Sequence, residues 1–149
     1  MVSKRLRGVG KKVILVGGCF DLLHIGHLTF LEKAKKKGDV LFVLLESDAN
    51  ITKTKGPGRP INSQTDRAKI LSALETVDYI IKLAPFLKNE DYDELITKLR
   101  PTVIATTKGD VNRLHKERQA NVIGGKVIDV TVPVKNQSTT KLISLLNEL

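Results

Sequence analysis

Two of the chain's three histidines stand in one tetrapeptide, His24-Ile25-Gly26-His27. It follows Gly17-Gly18-Cys19-Phe20-Asp21-Leu22-Leu23, which itself follows the apolar run Val13 to Val16. The segment therefore leaves a strand-like run and opens a stretch of helical periodicity. Glycines, free amides and two imidazoles gather at a helix N-terminus, where the unpaired N–H groups and the macrodipole favour an anion. Gly26 lets a phosphate approach the backbone, and the N–H groups of His24 and His27 can bind its oxygens. Metal ligation by the pair is poorly supported, because no further His or Cys lies at ligand spacing. The pair can also be read as helix caps.

The remaining elements must present this segment to a ligand. Apolar, β-branched runs alternate with helical periodicity along the chain. Strands are expected at Val13–Val16, Val40–Leu45, Val77–Ile81, Val103–Ala105 and Val127–Val132. Helices are expected from Ile25 to Lys37, after a cap at Asn62 or Ser63, from Asp91 to Leu99, from Arg113 to Val122, and after a cap at Ser138. Asn50 to Pro60, with Gly56-Pro57-Gly58 inside it, reads as a loop. Five strands without hairpin signals imply crossover connections, hence an α/β fold: a single-domain, Rossmann-like, doubly wound sheet of five parallel strands. Ligands of such sheets lie at the carboxyl ends of the strands, near the point where strand order reverses.

At 149 residues the chain suits one domain, expected over residues 13–149 behind a basic tail at 1–12. A lone cysteine, Cys19, excludes an intramolecular disulfide and points to a reducing, cytoplasmic setting. No apolar run reaches the roughly 18 residues of a membrane span, so no membrane association is expected. The net charge of +9 predicts attraction to polyanions. Its clusters at Lys4–Lys12 and Lys33–Lys37 read as a flexible tail and a solvated helix face, and the 4% aromatic content leaves few stacking platforms for nucleic acid. His115 reads as a solvated residue on a charged helix.

The strand, the Gly-Cys-Phe-Asp turn and His24-Ile25-Gly26-His27 together resemble the HxGH nucleotidyltransferase superfamily, in its cytidylyltransferase-like branch. Lys53-Thr-Lys55-Gly-Pro-Gly-Arg59-Pro60 and Ser138-Thr139-Thr140-Lys141 follow in the order found in glycerol-3-phosphate cytidylyltransferases. The stretch from Lys55 to Ile80 is more similar still to heptose-1-phosphate adenylyltransferases. The resemblance covers residues 13–82 well and 136–146 locally. Between them it fails: Thr106-Thr107-Lys108-Gly109-Asp110 replaces a Lys-Gly-Gly-Asp type loop, and His115 to Lys126 has no assignable counterpart.

The resemblance implies catalytic roles for His24, His27 and Lys55. It implies nucleotide contacts from Gly18, Cys19, Phe20, Asp21, His24, Gly26, His27, Lys55, Ser138, Thr139 and Thr140. Lys53 and Arg67 would hold the acceptor phosphate. Mg²⁺ would act through the phosphates, with Asp21 as its nearest protein group or simply as an acid in a helix N-terminal turn. The partners implied are a nucleoside triphosphate (ATP or CTP), a phosphorylated small-molecule acceptor and, by family likeness, a second copy of the chain.

Attack by a phosphate monoester needs no general base, since its second pKa of about 6 leaves it largely ionised. Catalysis then reduces to positioning and charge neutralisation. Adenylyl transfer to a heptose-type phosphate is the expected reaction. Cytidylyl transfer to glycerol 3-phosphate, adenylyl transfer to flavin mononucleotide, and a silent nucleotide- or nucleic-acid-binding module are the rivals.

Overall fold

In the computed structural model, which describes residues 1–134 and 138–149, the run Val13 to Val16 lies at the centre of a sheet. Val13 and Leu15 turn to one face and Ile14 and Val16 to the other, and all four are buried. Burial on both faces is why the run is continuously apolar rather than alternating. The strands are β1 (Val13–Gly18), β2 (Val40–Leu45), β3 (Tyr79–Lys82), β4 (Val103–Thr107) and β5 (Lys126–Thr131). They pair in parallel in the order β3-β2-β1-β4-β5. The expected doubly wound sheet of five parallel strands is observed.

One face packs on α2 (Ile25–Lys35) and α4 (Gln64–Ser72), through Leu31, Ala34 and Leu71. The other packs on α5 (Asn89–Leu99) and α6 (Arg113–Ile123), through Ile96, Leu99 and Ala120. Strand order reverses between β1 and β4, so a crevice opens beyond their carboxyl ends. The helices α3 (Asp48–Lys55) and α7 (Thr139–Asn147) stand at that end of the sheet, where Lys55 and Thr139 join the crevice wall.

Two segments differ from expectation. Residues 2–8 form α1 (Val2–Gly8) instead of a flexible tail. Leu6 packs against the apolar layer under α5, Ser3 is buried, and Arg7 donates to the Leu99 carbonyl. Residues 48–55, largely within the expected loop, are helical. Ser47 caps α3 by accepting the Asn50 N–H, the Thr52 and Thr54 hydroxyls donate to carbonyls four residues back, and Ile51 is fully buried. Gly56, at φ +94°, ends the helix in a conformation that side chains disfavour. Residues 136 and 137, at the start of the local resemblance, lie outside the described residues.

Candidate active site

β1 delivers Gly17 and Gly18 to the crevice, and the chain then turns sharply. A Cβ on Gly18 would stand 2.9 Å from the Phe20 ring, so this approach requires glycine. Phe20 and Leu22 adopt left-handed backbone angles of φ +48° and +39°. Bulky residues persist there only when the surroundings hold them. Asp21, between them, supplies that hold: its carboxylate accepts the N–H groups of Ile61 (2.7 Å) and Asn62 (3.0 Å). Its backbone carbonyl accepts the Thr139 hydroxyl at 2.5 Å.

His24 and His27 cap α2 reciprocally. His24 Nδ1 accepts the Gly26 N–H (3.1 Å), and His27 Nδ1 accepts the His24 N–H (3.3 Å). A ring nitrogen that accepts carries no proton, so in each neutral imidazole the proton sits on Nε2. The rings lie against each other with centroids 3.9 Å apart, tilted by 31°. Burial, then the neighbouring His24 and Lys55, hold the His27 pKa down at about 4, and burial also lowers that of His24. Both rings are therefore neutral near pH 7, each with a defined Nε2–H donor.

These groups line a cleft of about 490 Å³, a size suited to a small ligand. Its wall includes Gly18, Cys19, Phe20, Asp21, His24, Gly26, His27, Lys55, Ser138, Thr139 and Thr140, so the structure brings together these expected nucleotide contacts. Burial pushes the Cys19 thiol pKa up, leaving it a small uncharged wall group. Lys55 has no ion pair among the described residues, and its charge is available to a phosphate.

Three expected roles change. Arg67 does not reach the cleft: it is fully buried and donates to the carbonyls of Asn62, Cys19 and Glu46 and to the Asp48 carboxylate. It braces the β1 and β2 ends, and an acceptor phosphate cannot reach it. Lys53 is exposed and absent from the cleft wall, because α3 replaces the expected loop and residues two apart point to different sides of a helix. The Thr139 hydroxyl, expected among the nucleotide contacts, is given to the Asp21 carbonyl. Asp21, expected also beside Mg²⁺, accepts one backbone amide on each carboxylate oxygen.

Sequence reasoning missed the wall opposite β1. Thr106 at the end of β4, Lys108, Gly109 and Asp110 after it, Lys116 on α6, and Val132 to Val134 after β5 complete the cleft. Asp110 accepts the Thr106 hydroxyl at 2.5 Å and pairs with Lys116. Hydrogen bonds from Lys116, Thr106 and Asn112 outweigh its burial and hold its pKa below the usual range. The carboxyl end of β4, beside β1, was the signal available. No group of three metal-binding side chains comes together among the described residues. Asp21 and Asp110 both line the cleft with their carboxylate oxygens in hydrogen bonds.

A doubly wound parallel sheet with paired imidazoles at the first helix start, facing a cationic cleft at the switch point, defines a nucleotide-handling α/β protein. The chain belongs to the cytidylyltransferase-like family, whose model matches residues 15–144. This bears out the expected superfamily. The chain is 38% identical over 150 residues to the bifunctional protein HldE of Aliarcobacter butzleri, covering 99% of this chain and 29% of that protein. It is 47% identical over 103 residues to HldE of Sulfurimonas denitrificans, covering 69% and 21%. It thus spans less than a third of these curated relatives. The lipopolysaccharide core biosynthesis protein of Thermoplasma volcanium shares the fold, with a TM-score of 0.68, 24% identity, and 86% of this chain and 100% of that chain covered.

Proposed function

We propose that this chain transfers a nucleoside monophosphate, AMP by preference, from a nucleoside triphosphate to a sugar phosphate such as heptose 1-phosphate. An oxygen of the acceptor phosphate attacks the α-phosphorus, the bond to the bridging oxygen breaks, and pyrophosphate leaves with that electron pair. The observation that carries this reading is the pair of neutral imidazoles, each held by its Nδ1 with the Nε2–H left to donate. Such donors stabilise charge developing on phosphate oxygens without losing a proton to them. Lys55 and the first amides of α7 add charge neutralisation from the rest of the wall. In this reading Mg²⁺ acts through the triphosphate oxygens, as the family resemblance implies.

The preference for adenine and a heptose phosphate rests on the likeness of residues 55–80 to heptose-1-phosphate adenylyltransferases. Relatives named HldE and a fold neighbour named for lipopolysaccharide core biosynthesis agree with it. A cytoplasmic homodimer is part of the same reading, and light scattering of the purified chain tests the dimer.

The reaction is tested by pyrophosphate release with ATP or CTP against heptose 1-phosphate, glycerol 3-phosphate and flavin mononucleotide. ATP with heptose 1-phosphate should turn over fastest. Faster turnover with another pair would reassign the substrates, and no release with any pair would leave a binding module.

A further inference from the structure

Arg59 lies in the segment between α3 and α4, four residues beyond Lys55. Its side chain is only 10% exposed, yet its Nε and Nη2 are buried without a hydrogen-bond partner. The one carboxylate near it, Asp21, stands 3.5 Å from Nε and already accepts the Ile61 and Asn62 amides. Arg59 itself lies behind the cleft wall, and its Nη1 makes a long 3.4 Å contact to the hydroxyl of Thr140, which is in the first turn of α7 and part of that wall. A buried guanidinium with idle donors is costly unless some state of the protein uses them. Arg67, equally buried, shows the contrast: Nε, Nη1 and Nη2 all donate there.

We propose that Arg59 is a phosphate-binding residue of this site, its idle fork turning from Asp21 onto the outer phosphates of the triphosphate as they reach the first turn of α7. The proposal rests on the nucleotidyltransferase reading above. Three features support it. The guanidinium sits behind Thr140, at the helix start where an anion is favoured. Its planar fork matches two phosphate oxygens at once. Its counter-charge Asp21 keeps two amide bonds when the arginine leaves, so the turn before His24 stays held. Arg59 and Lys55 would then grip the leaving pyrophosphate from a single segment of chain.

Calorimetric titration of the intact chain with inorganic pyrophosphate, α,β-methylene ATP and AMP, beside thermal melting, tests this. Pyrophosphate is common to ATP and CTP, so the result does not depend on the base. Arg59→Gln should weaken pyrophosphate and the triphosphate analogue by about ten- to a hundredfold, the loss expected for charged hydrogen bonds, and AMP by less than threefold. Arg59→Lys, which keeps the charge without the fork, should recover part of the affinity. Equal losses for all three ligands, or unchanged pyrophosphate binding in a folded Arg59→Gln variant, would show a structural brace and overturn the proposal. If Arg59→Gln does not fold, Arg59→Lys decides: binding within threefold of the wild type for every ligand would count against a bidentate grip. A wild-type chain that binds neither triphosphate analogue nor pyrophosphate would sink the nucleotidyltransferase reading itself.

Discussion

At the scale of residues, the site rests on two histidines that serve as caps and donors at once. His24→Ala or His27→Ala should lower kcat by about 10²–10³, the usual cost of one preorganised donor. Each should also lose about 1 kcal/mol of stability as a cap is removed, read by urea denaturation. The depressed pKa of His27 gives a sign to the pH dependence. Between about 4 and the ordinary 6.5 the unfolded chain binds a proton that the folded chain refuses. His27 therefore makes stability fall as pH drops through that window and has no effect above it. Melting temperatures from pH 7.5 to 4.5 should show a shallower acid decline in His27→Asn than in the wild type, and parallel curves would contradict the assignment. Arg67→Met should cost about 1–3 kcal/mol, chiefly by stranding the carbonyls of Cys19, Asn62 and Glu46 that the guanidinium satisfies. It should leave the KM for the acceptor unchanged in the fraction that folds. The histidines were legible because two rare, chemically distinctive residues stand together in sequence. Arg67 was not, since its burial depends on Cys19, Glu46 and Asp48, which only the fold brings to it.

At the scale of elements, α7 shows how a helix start can be both joint and binding surface. Ser138→Ala removes an N-cap, whose oxygen accepts the Lys141 N–H, and should cost about 1 kcal/mol. Thr139→Val is expected to cost about 1–3 kcal/mol, because it strands the buried Asp21 carbonyl and frees α7 from the β1 turn. Triphosphate affinity should fall with it, since the amides of α7 lose their placement; differential scanning calorimetry and titration of the same variant measure both. Strongly apolar strands and capped helices could be read from the chain because each carries its own periodicity. α1 and α3 could not. They are short, are anchored by a few contacts, Leu6 and Arg7 in α1 and Ile51 in α3, and owe their stability to the layer they touch.

At the scale of the molecule, the net charge of +9 acts on encounter more than on fold. The KM for triphosphate should rise as ionic strength goes from 0.05 to about 0.5 M, where the screening length falls from above 10 Å toward 3 Å. A flat dependence would place the excess lysines away from the approach path. The doubly wound architecture was legible throughout, whereas the β4 and β5 side of the cleft was not, because irregular segments there become a wall only once β4 lies beside β1. The strand order carries one further consequence. β1 has a neighbour on either side, whereas β3 and β5 each leave one edge open. Amide protons of Val13 to Val16 should therefore exchange with deuterated solvent only through global unfolding, while those of β3 and β5 escape through smaller openings. The strand that carries the histidine turn should thus be, with β2 and β4, among the last parts of the chain to come apart. A nucleotide arriving there meets a surface already ordered, and its binding energy is not spent on ordering the backbone.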